Sequence, residues 1–522
     1  MSTSAVSRRG LITGLAAAVV GWNTVGRSWA VTGGAGGDGS AGGDGSAGGD
    51  GSGGAAADGG GAGSVAALPA LDGSVVVDPA VLEGFAGDFG HLVAAAPRAV
   101  LRPGSVRDVV AMVDFARRHR IPVAMNGQSG EAGAGGEGLE SHSSYGQATA
   151  PGGVAVDARG LDRIVSIAPG RAVVEAGVTW ARLTDAALAQ GWMPPCLTDY
   201  LHLSVGGTLS VGGIGGGVQR YGLQADTVES IDIVTGTGRL VTASANCERE
   251  LFEAALAGGG QVGIIVRATL RLVPARERAL VFSLFYDDLA AYLGDQERLM
   301  AEGRFDLQVG EALRGAAGSA WRYRIEAVAL YDGGAVPDRE ALLQGLRHVA
   351  GETVVVDQEF RAYAFRVDAF AGYLKAAGFW GLPKPWLSLF LPASTAGAFM
   401  REAARELTPE HLGAGILLFY PYAAERFTRP FAMVPEEPVG FHFDLLAFPA
   451  PGADVAAMLE RNRRLYERAV ALGGKRYLVG AVPRMGREDW RRHYGRRWPA
   501  LVAAKRRWDP AGILTPGQRI HA

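Results

Sequence analysis

The stretch 197–217, LTDYLHLSVGGTLSVGGIGGG, sets Gly206, Gly207, Gly212, Gly213, Gly215, Gly216 and Gly217 behind one carboxylate, Asp199, and one imidazole, His202. Glycine loses more conformational freedom on folding than any other residue. Such a run therefore implies that something approaches the backbone closely enough to exclude side chains. Further clusters at 127–138 and 258–263 repeat the demand in the same half of the chain. Backbone N–H groups in such loops form concave nests for anionic oxygens without needing a lysine, and glycine lets a flat ring lie against the backbone. Tight turns alone would account for one cluster. Three point to a long ligand with a diphosphate and a planar ring.

The glycines do not spell a nicotinamide dinucleotide site. Gly258, Gly260 and Gly263 match G-x-G-x-x-G, but a helical pattern precedes them and a strand pattern follows, the reverse of the required order. Gly133, Gly135 and Gly138 match too, yet no helix opens behind them. No such loop carries a Walker-A lysine.

At 522 residues the chain is too long for one core, and two domains are expected. A net charge of −2 excludes a general nucleic-acid binder. Two cysteines, Cys196 and Cys247, cannot build a disulfide framework, and no Cys/His cluster suggests a metal. They are either free thiols or a single pair. Residues 1–30 read as a twin-arginine signal: Ser7-Arg8-Arg9-Gly10-Leu11-Ile12, an apolar run 11–22 too short to span a bilayer, and a small-x-small site at 28–30. The expected location is periplasmic or extracellular, with no stable membrane insertion once the signal is cut. Residues 31–70, with their AGGDGS repeats, read as a flexible Gly/Ser/Asp-rich linker. The folded part is expected to start near Leu71.

From 71 to 276 short apolar runs alternate with helical patterns: a helix over 106–120, strands over 121–126, 152–158, 171–177, 228–241 and 262–273, and short helices over 180–191 and 247–258. From 277 to 470 the texture changes. Strand patterns at 321–332, 385–392, 415–421 and 440–449 are separated by helices. The fold class is α+β: two domains, the second an α+β cap on an antiparallel sheet with helices on one side. Basic and aromatic residues interleaved over 484–508 recur at helical spacing and read as a packed helix with a solvated face.

Several blocks carry a family resemblance. APRAVLRPGSVRDVVAMVDFARRHRIPVA resembles the opening of PCMH-type FAD-binding domains, those of vanillyl-alcohol oxidase and p-cresol methylhydroxylase. SHSSYGQATAPGGVAVD, the 197–242 block, GGGQVGIIVRATLRLVPA, LPKPWLSLFLP and the terminal DWRRHYGRRWPALVAAKRRWDPAGILTPGQ resemble cytokinin dehydrogenase. The likeness runs from about Pro97 to the end and implies bound FAD, with residues 471–522 returning to the FAD domain.

The resemblance also implies site residues. The diphosphate loop would be Asn126, Gly127, Gln128, Ser129 and Gly130. His142, after an inserted EAGAGGEGLE, matches the histidine that bonds the flavin covalently, with Ser143 and Gln147 in register. Thr198, Asp199, Ser204, Gly207 and Thr208 would lie along the flavin, as would Ile264, Ile265, Tyr477, Thr515 and Gln518. Asp199 matches the acid facing the substrate amine, where a carboxylate would stabilise developing imine cation; by itself, without the surrounding block, an Asp here reads as a helix or turn cap. Trp386 matches a substrate-pocket wall. The family's Tyr-x-Glu-Gly element has no counterpart in register; Glu311 in DLQVGEALR stands nearby. His202 replaces an aromatic. The implied reaction is oxidation of a C–N bond of an N6-substituted adenine by hydride transfer to flavin, with a quinone-like acceptor or oxygen. The alternatives are an FAD oxidase of an alcohol, sugar or lactone, and a flavin-shell binding protein without turnover.

Overall fold

The computed structural model describes residues 18–24, 26–32, 65–129, 140–314 and 320–521. The twin-arginine pattern, the glycine repeats over 33–64 and Gly130 lie outside them.

Order begins earlier than Leu71. Strands β1 (Ala18–Asn23) and β2 (Ser28–Thr32) form an antiparallel hairpin, and β3 (Val65–Ala67) pairs with β1. Trp22, in the apolar run assigned to a signal, is 2% exposed, and Trp29 stacks on Phe115. These indoles bury apolar surface that the sequence pattern alone would leave to a signal peptide.

The first domain has two sheets. In one, β4 (Ser74–Val76) runs antiparallel to β5 (Ala99–Arg102), helix α1 (Val106–His119) follows, and β5, β6 (Val123–Asn126) and β7 (Val154–Asp157) are parallel, in the order β4-β5-β7-β6. Ser105 caps α1 by accepting the Arg107 N–H. Its buried face holds Val109, Met112, Val113, Phe115 and Ala116. It also buries Asp108, which accepts the N–H groups of Asp72, Gly73 and Gly104 at 2.7–2.8 Å.

The second sheet is antiparallel: β8 (Ile164–Ala168), β9 (Arg171–Glu175), β10 (Val228–Thr235), β11 (Leu240–Ser244) and β12 (Gly263–Arg271), ordered β8-β9-β12-β10-β11. Between β9 and β10 the chain makes helix α2 (Trp180–Leu188) and the short α3 (Val205–Val211) inside the glycine-rich stretch.

The cap begins with β13 (Arg278–Tyr286) and helix α4 (Leu289–Glu302). Next come β14 (Leu307–Arg314), β15 (Trp321–Tyr331), β16 (Val354–Glu359) and helix α5 (Val367–Ala376). Strand β17 (Leu387–Pro392) and helix α6 (Ala393–Glu406) are followed by β18 (Ile416–Ala423), β19 (Val439–Leu446) and helix α7 (Val455–Ala471). The short β20 (Lys475–Arg476) completes an eight-stranded antiparallel sheet, ordered β16-β13-β15-β14-β18-β19-β17-β20. One face packs under α4, α6 and α7: Tyr323, Ile325 and Ala327 of β15, Leu417 and Phe419 of β18, and Phe441, Phe443 and Leu445 of β19 meet Tyr292, Phe399 and Leu465. The alternation along β15 agrees with the strand pattern at 321–332. The opposite face looks at the first domain.

After helices α8 (Arg487–Tyr494) and α9 (Trp498–Trp508) the chain returns to β6. Val123 N–H donates to Ile513 O at 2.8 Å, and Thr515 N–H donates to Val123 O at 2.9 Å. Asp509, 2% exposed, fixes this return by accepting Ile513 N–H (3.1 Å) and Leu514 N–H (2.9 Å) while paired with Lys505 Nζ (2.7 Å). Asp509→Ala should cost about 3–5 kcal/mol, because it strands a buried ammonium and two backbone donors. A melting temperature within a degree of the parent would contradict that role.

Candidate active site

Between the glycine-rich wall of the first domain and the free face of the cap sheet lies a cavity of about 630 Å³. Sheet parity decides what the cap presents to it. Strand pairing places Arg324, Glu311, Leu418, Asp444 and Ser388 in one row across β15, β14, β18, β19 and β17. Two residues along each strand, Glu326, Val309, Tyr420 and His442 face the same way, and all four line the cavity.

The floor comes from the first domain. Gly127, Gly206, Gly207, Gly213, Gly259, Gly260 and Gly263 line it. Two positions show why glycine is required. At Gly127 a Cβ would lie 2.4 Å from Ser204 Oγ. At Gly213, with φ +73°, it would lie 2.1 Å from Oε1 of Gln224, which is fully buried. Gly215 is required by packing in the same way: its Cβ position is 2.0 Å from Leu197 O. Tyr477 Oη accepts the Gly213 N–H at 3.0 Å, and Thr515 donates to Gly260 O at 2.8 Å, so the C-terminal segment holds two glycine loops in place. Trp180 Nε1 donates to Thr208 Oγ1 at 2.7 Å.

Asp199 enters at the edge of this floor. Its carboxylate takes a 2.6 Å hydrogen bond from Nη2 of Arg366, the residue preceding α5. Arg366 Nε lies 3.0 Å from Glu326, which also accepts the Tyr363 hydroxyl at 3.1 Å. Arg324 pairs with Glu311 at 2.8 Å. Burial pushes the Glu311 carboxyl up, against the pull of Arg324. Burial also raises Asp444, to about 7, while the Ser388 hydroxyl it accepts opposes the shift and the Asp199 charge adds to it.

His142 lines the same cavity, stacked on Phe89 with ring centroids 3.9 Å apart and 5.8 Å from Trp386. Burial, then the charges of Lys384 and Lys375, push its imidazole down to about 3, so it is neutral. Asp88 sets the loop's path by accepting Ser143 Oγ (2.8 Å), Gly146 N–H (2.6 Å) and Gly90 N–H (3.2 Å). Gln147 donates to Leu478 O at 3.0 Å.

Of the residues expected from sequence, Gly127, His142, Ser143, Gln147, Thr198, Asp199, Ser204, Gly207, Thr208, Ile264, Ile265, Glu311, Trp386, Tyr477, Thr515 and Gln518 all border the cavity. Asn126 does not; it is buried at the end of β6. Gln128 and Ser129 form a short strand with residues 140–141. His202 is turned away from the cavity, 3.1 Å from Asp368. Arg366, Glu326, Arg324, Asp444 and Phe89 were not anticipated. Cys196 is buried, Cys247 is exposed, and both are free thiols. Among the described residues no cluster could hold a metal ion, and no helix is long and apolar enough to cross a membrane.

Two family profiles match the chain: "FAD binding domain" over residues 97–244 and "Cytokinin dehydrogenase 1, FAD and cytokinin binding" over residues 311–521. The floor, which presents the backbone of seven glycines to the cavity, and the neutral His142 fit FAD. Floor and cap together define an FAD-dependent oxidoreductase. An "Uncharacterized oxidoreductase ORF5 in fasciation locus" from Rhodococcoides fascians is 37% identical over 85% of this chain and 98% of its own length. "Cytokinin dehydrogenase 1" from Oryza sativa subsp. japonica is 35% identical over 86% of this chain and 92% of its own. "Cytokinin dehydrogenase 10" from the same plant is 33% identical over 83% and 86%. The chain belongs to the cytokinin dehydrogenase family.

Proposed function

We propose that the protein oxidises the C–N bond of an N6-substituted adenine, taking hydride from the carbon attached to the exocyclic nitrogen. The observation that carries this reading is Asp199, set in the cavity wall where the glycine floor meets the charged face of the cap. Bound FAD supplies the hydride acceptor. The remaining work falls to the chain's own groups. As the hydride leaves with two electrons, the substrate nitrogen releases its proton and the C–N bond becomes C=N. Asp199 accepts the N–H hydrogen bond and then the proton. Arg366 fixes the carboxylate's position, and because Asp199 and Glu326 flank that one guanidinium, the trio carries an acid in excess. That excess favours the positive charge developing on the substrate. Water then adds to the C=N bond, releasing an aldehyde and free adenine. The electrons pass on to a quinone-like acceptor or oxygen. The likeness to the two rice cytokinin dehydrogenases supports the substrate class.

We also infer that His142 bonds FAD covalently, since a neutral imidazole nitrogen is the nucleophile such a bond requires. Acid-precipitated protein should retain its yellow colour, and His142→Ala should release it to the supernatant. Colour lost from the parent protein would contradict the linkage.

Asp199→Asn keeps the size of the group and removes its charge. Losing one such electrostatic partner typically costs about 2.7–4 kcal/mol, roughly 10²–10³ in turnover. The variant should hold FAD normally, yet be reduced 10²–10³ more slowly by an N6-isoprenoid adenine under anaerobic conditions. A rate per bound flavin within a few-fold of the parent would remove Asp199 from the chemistry and favour an alcohol or sugar oxidase.

A further inference from the structure

The cap's row has an ion pair at one end, an apolar residue in the middle, and a carboxyl beside a hydroxyl at the other end. Arg324 and Glu311 form a closed ion pair at one end. Leu418 separates them from Asp444 at the other. Asp199, Glu311 and Glu326 are all paired with guanidinium groups. Asp444 has no cationic partner within salt-bridge distance among the described residues. Among the described residues its carboxyl accepts one hydrogen bond, from the hydroxyl of Ser388, which is fully buried.

The groups around Asp444 do not neutralise it. Along its own strand stands His442, held neutral by burial, which pushes it down to about 3. From β18 comes Tyr420, and from the C-terminal segment Tyr477; burial raises both phenols. The charge that reaches it across the cavity is Asp199, another acid. Arg324 and Arg366 are engaged with their own carboxylates. Apolar and aromatic lining comes from Leu418 opposite Asp444, from Leu446 two residues along its strand, and from Trp386 with Phe448 at 5.8 Å. Trp386 is anchored by donating its Nε1 proton to Ala447 O at 3.1 Å.

A carboxyl in such a place is costly unless it is protonated or meets a partner. As a neutral acid it has one donor and one acceptor side by side. That pair matches an N–C–N–H edge of a heteroaromatic ring, where a ring nitrogen accepts and the neighbouring N–H donates. An amide reads adenine in the same bidentate manner.

We propose that Asp444 is the specificity residue of the cap. It holds the edge of a nitrogen heteroaromatic ring through a paired donor and acceptor hydrogen bond, while Trp386 and Leu418 bound the ring and Asp199 takes the reacting amine. The inference rests on the amine-oxidation reading above for the role of Asp199, but its test does not use turnover.

The probe is free adenine, titrated into oxidised holoenzyme and followed by the change in the flavin spectrum. Wild-type protein should bind adenine most tightly below pH 7 and lose affinity up to tenfold per unit above it, as Asp444 ionises and its donor disappears. Asp444→Asn supplies donor and acceptor at every pH, so its affinity should be flat across the range. Asp444→Leu should bind adenine about 10–100-fold more weakly at pH 6, the size of a lost bidentate pair. Indole, of similar shape but without the acceptor, should bind all three proteins equally weakly. The proposal is overturned if the pH dependence survives in Asp444→Asn, if Asp444→Leu binds adenine within twofold of wild type, or if indole competes as well as adenine. It is also overturned if Asp444→Asn shifts the ligand-free flavin spectrum or loses FAD, since Asp444 would then serve the flavin. Should Asp444→Leu fail to fold, the pH profile of Asp444→Asn decides alone. An enzyme that binds adenine as described yet oxidises no N6-substituted adenine would refute the functional reading and leave this one standing.

Discussion

The ionic chain Asp199–Arg366–Glu326 is the contact on which the site depends. It joins three segments far apart in the chain: the turn before α3 in the FAD domain, and, from the cap, the residue preceding α5 and strand β15. Removing one member would leave another charge half-buried without its partner, which is far more costly than losing an exposed ion pair. The chain therefore locks the cap over the glycine floor in one orientation. It also fixes where Asp199 points, and in the proposed reaction that sets the place at which the reacting nitrogen would sit.

The cap sheet makes the rest of the pocket by alternation. Its even-numbered residues on β15, β18 and β19 face the cavity while the odd-numbered ones enter the core under α4, α6 and α7. A slip of one residue in any of these strands would exchange Asp444 for Phe443 or Leu445 and destroy core and site together. Core packing thus specifies the register, and the register delivers the polar row. On the other wall, Tyr477 and Thr515 perform a similar service, binding glycine loops whose backbone has no side chains to steady it.

Much of this was legible in the sequence, for reasons that differ by residue. The glycine loops could be read because their composition is costly without a ligand, whereas Asp199 could be singled out only through the family resemblance of the block around it, since alone it reads as a cap. The two-domain α+β organisation followed from the change in periodicity near residue 277. Arg366 and Asp444 could not be read: one acts through a contact 167 residues away in sequence, the other through strand pairing that no local pattern reveals. Glu311 looked out of register as a motif, yet β14 carries it into the cavity beside Arg324. His202 stands close to Asp199 in sequence and turns to Asp368 instead. At the N-terminus an apolar run with tryptophans fits either an export signal or a packed hairpin. Cleavage after Ala30 would remove Trp22 from the core it occupies in this structure.

The central claim is that the site recognises a substrate N–H beside the carbon that gives up hydride. Stopped-flow reduction of the holoenzyme, without oxygen, tests it with three substrates: an N6-isoprenoid adenine, the same molecule deuterated at the carbon next to N6, and its N6-methylated derivative. The account predicts rapid bleaching of the flavin by the first, slower bleaching by the second and none by the third, which has no N–H to offer Asp199. Equal bleaching by the methylated derivative would contradict it.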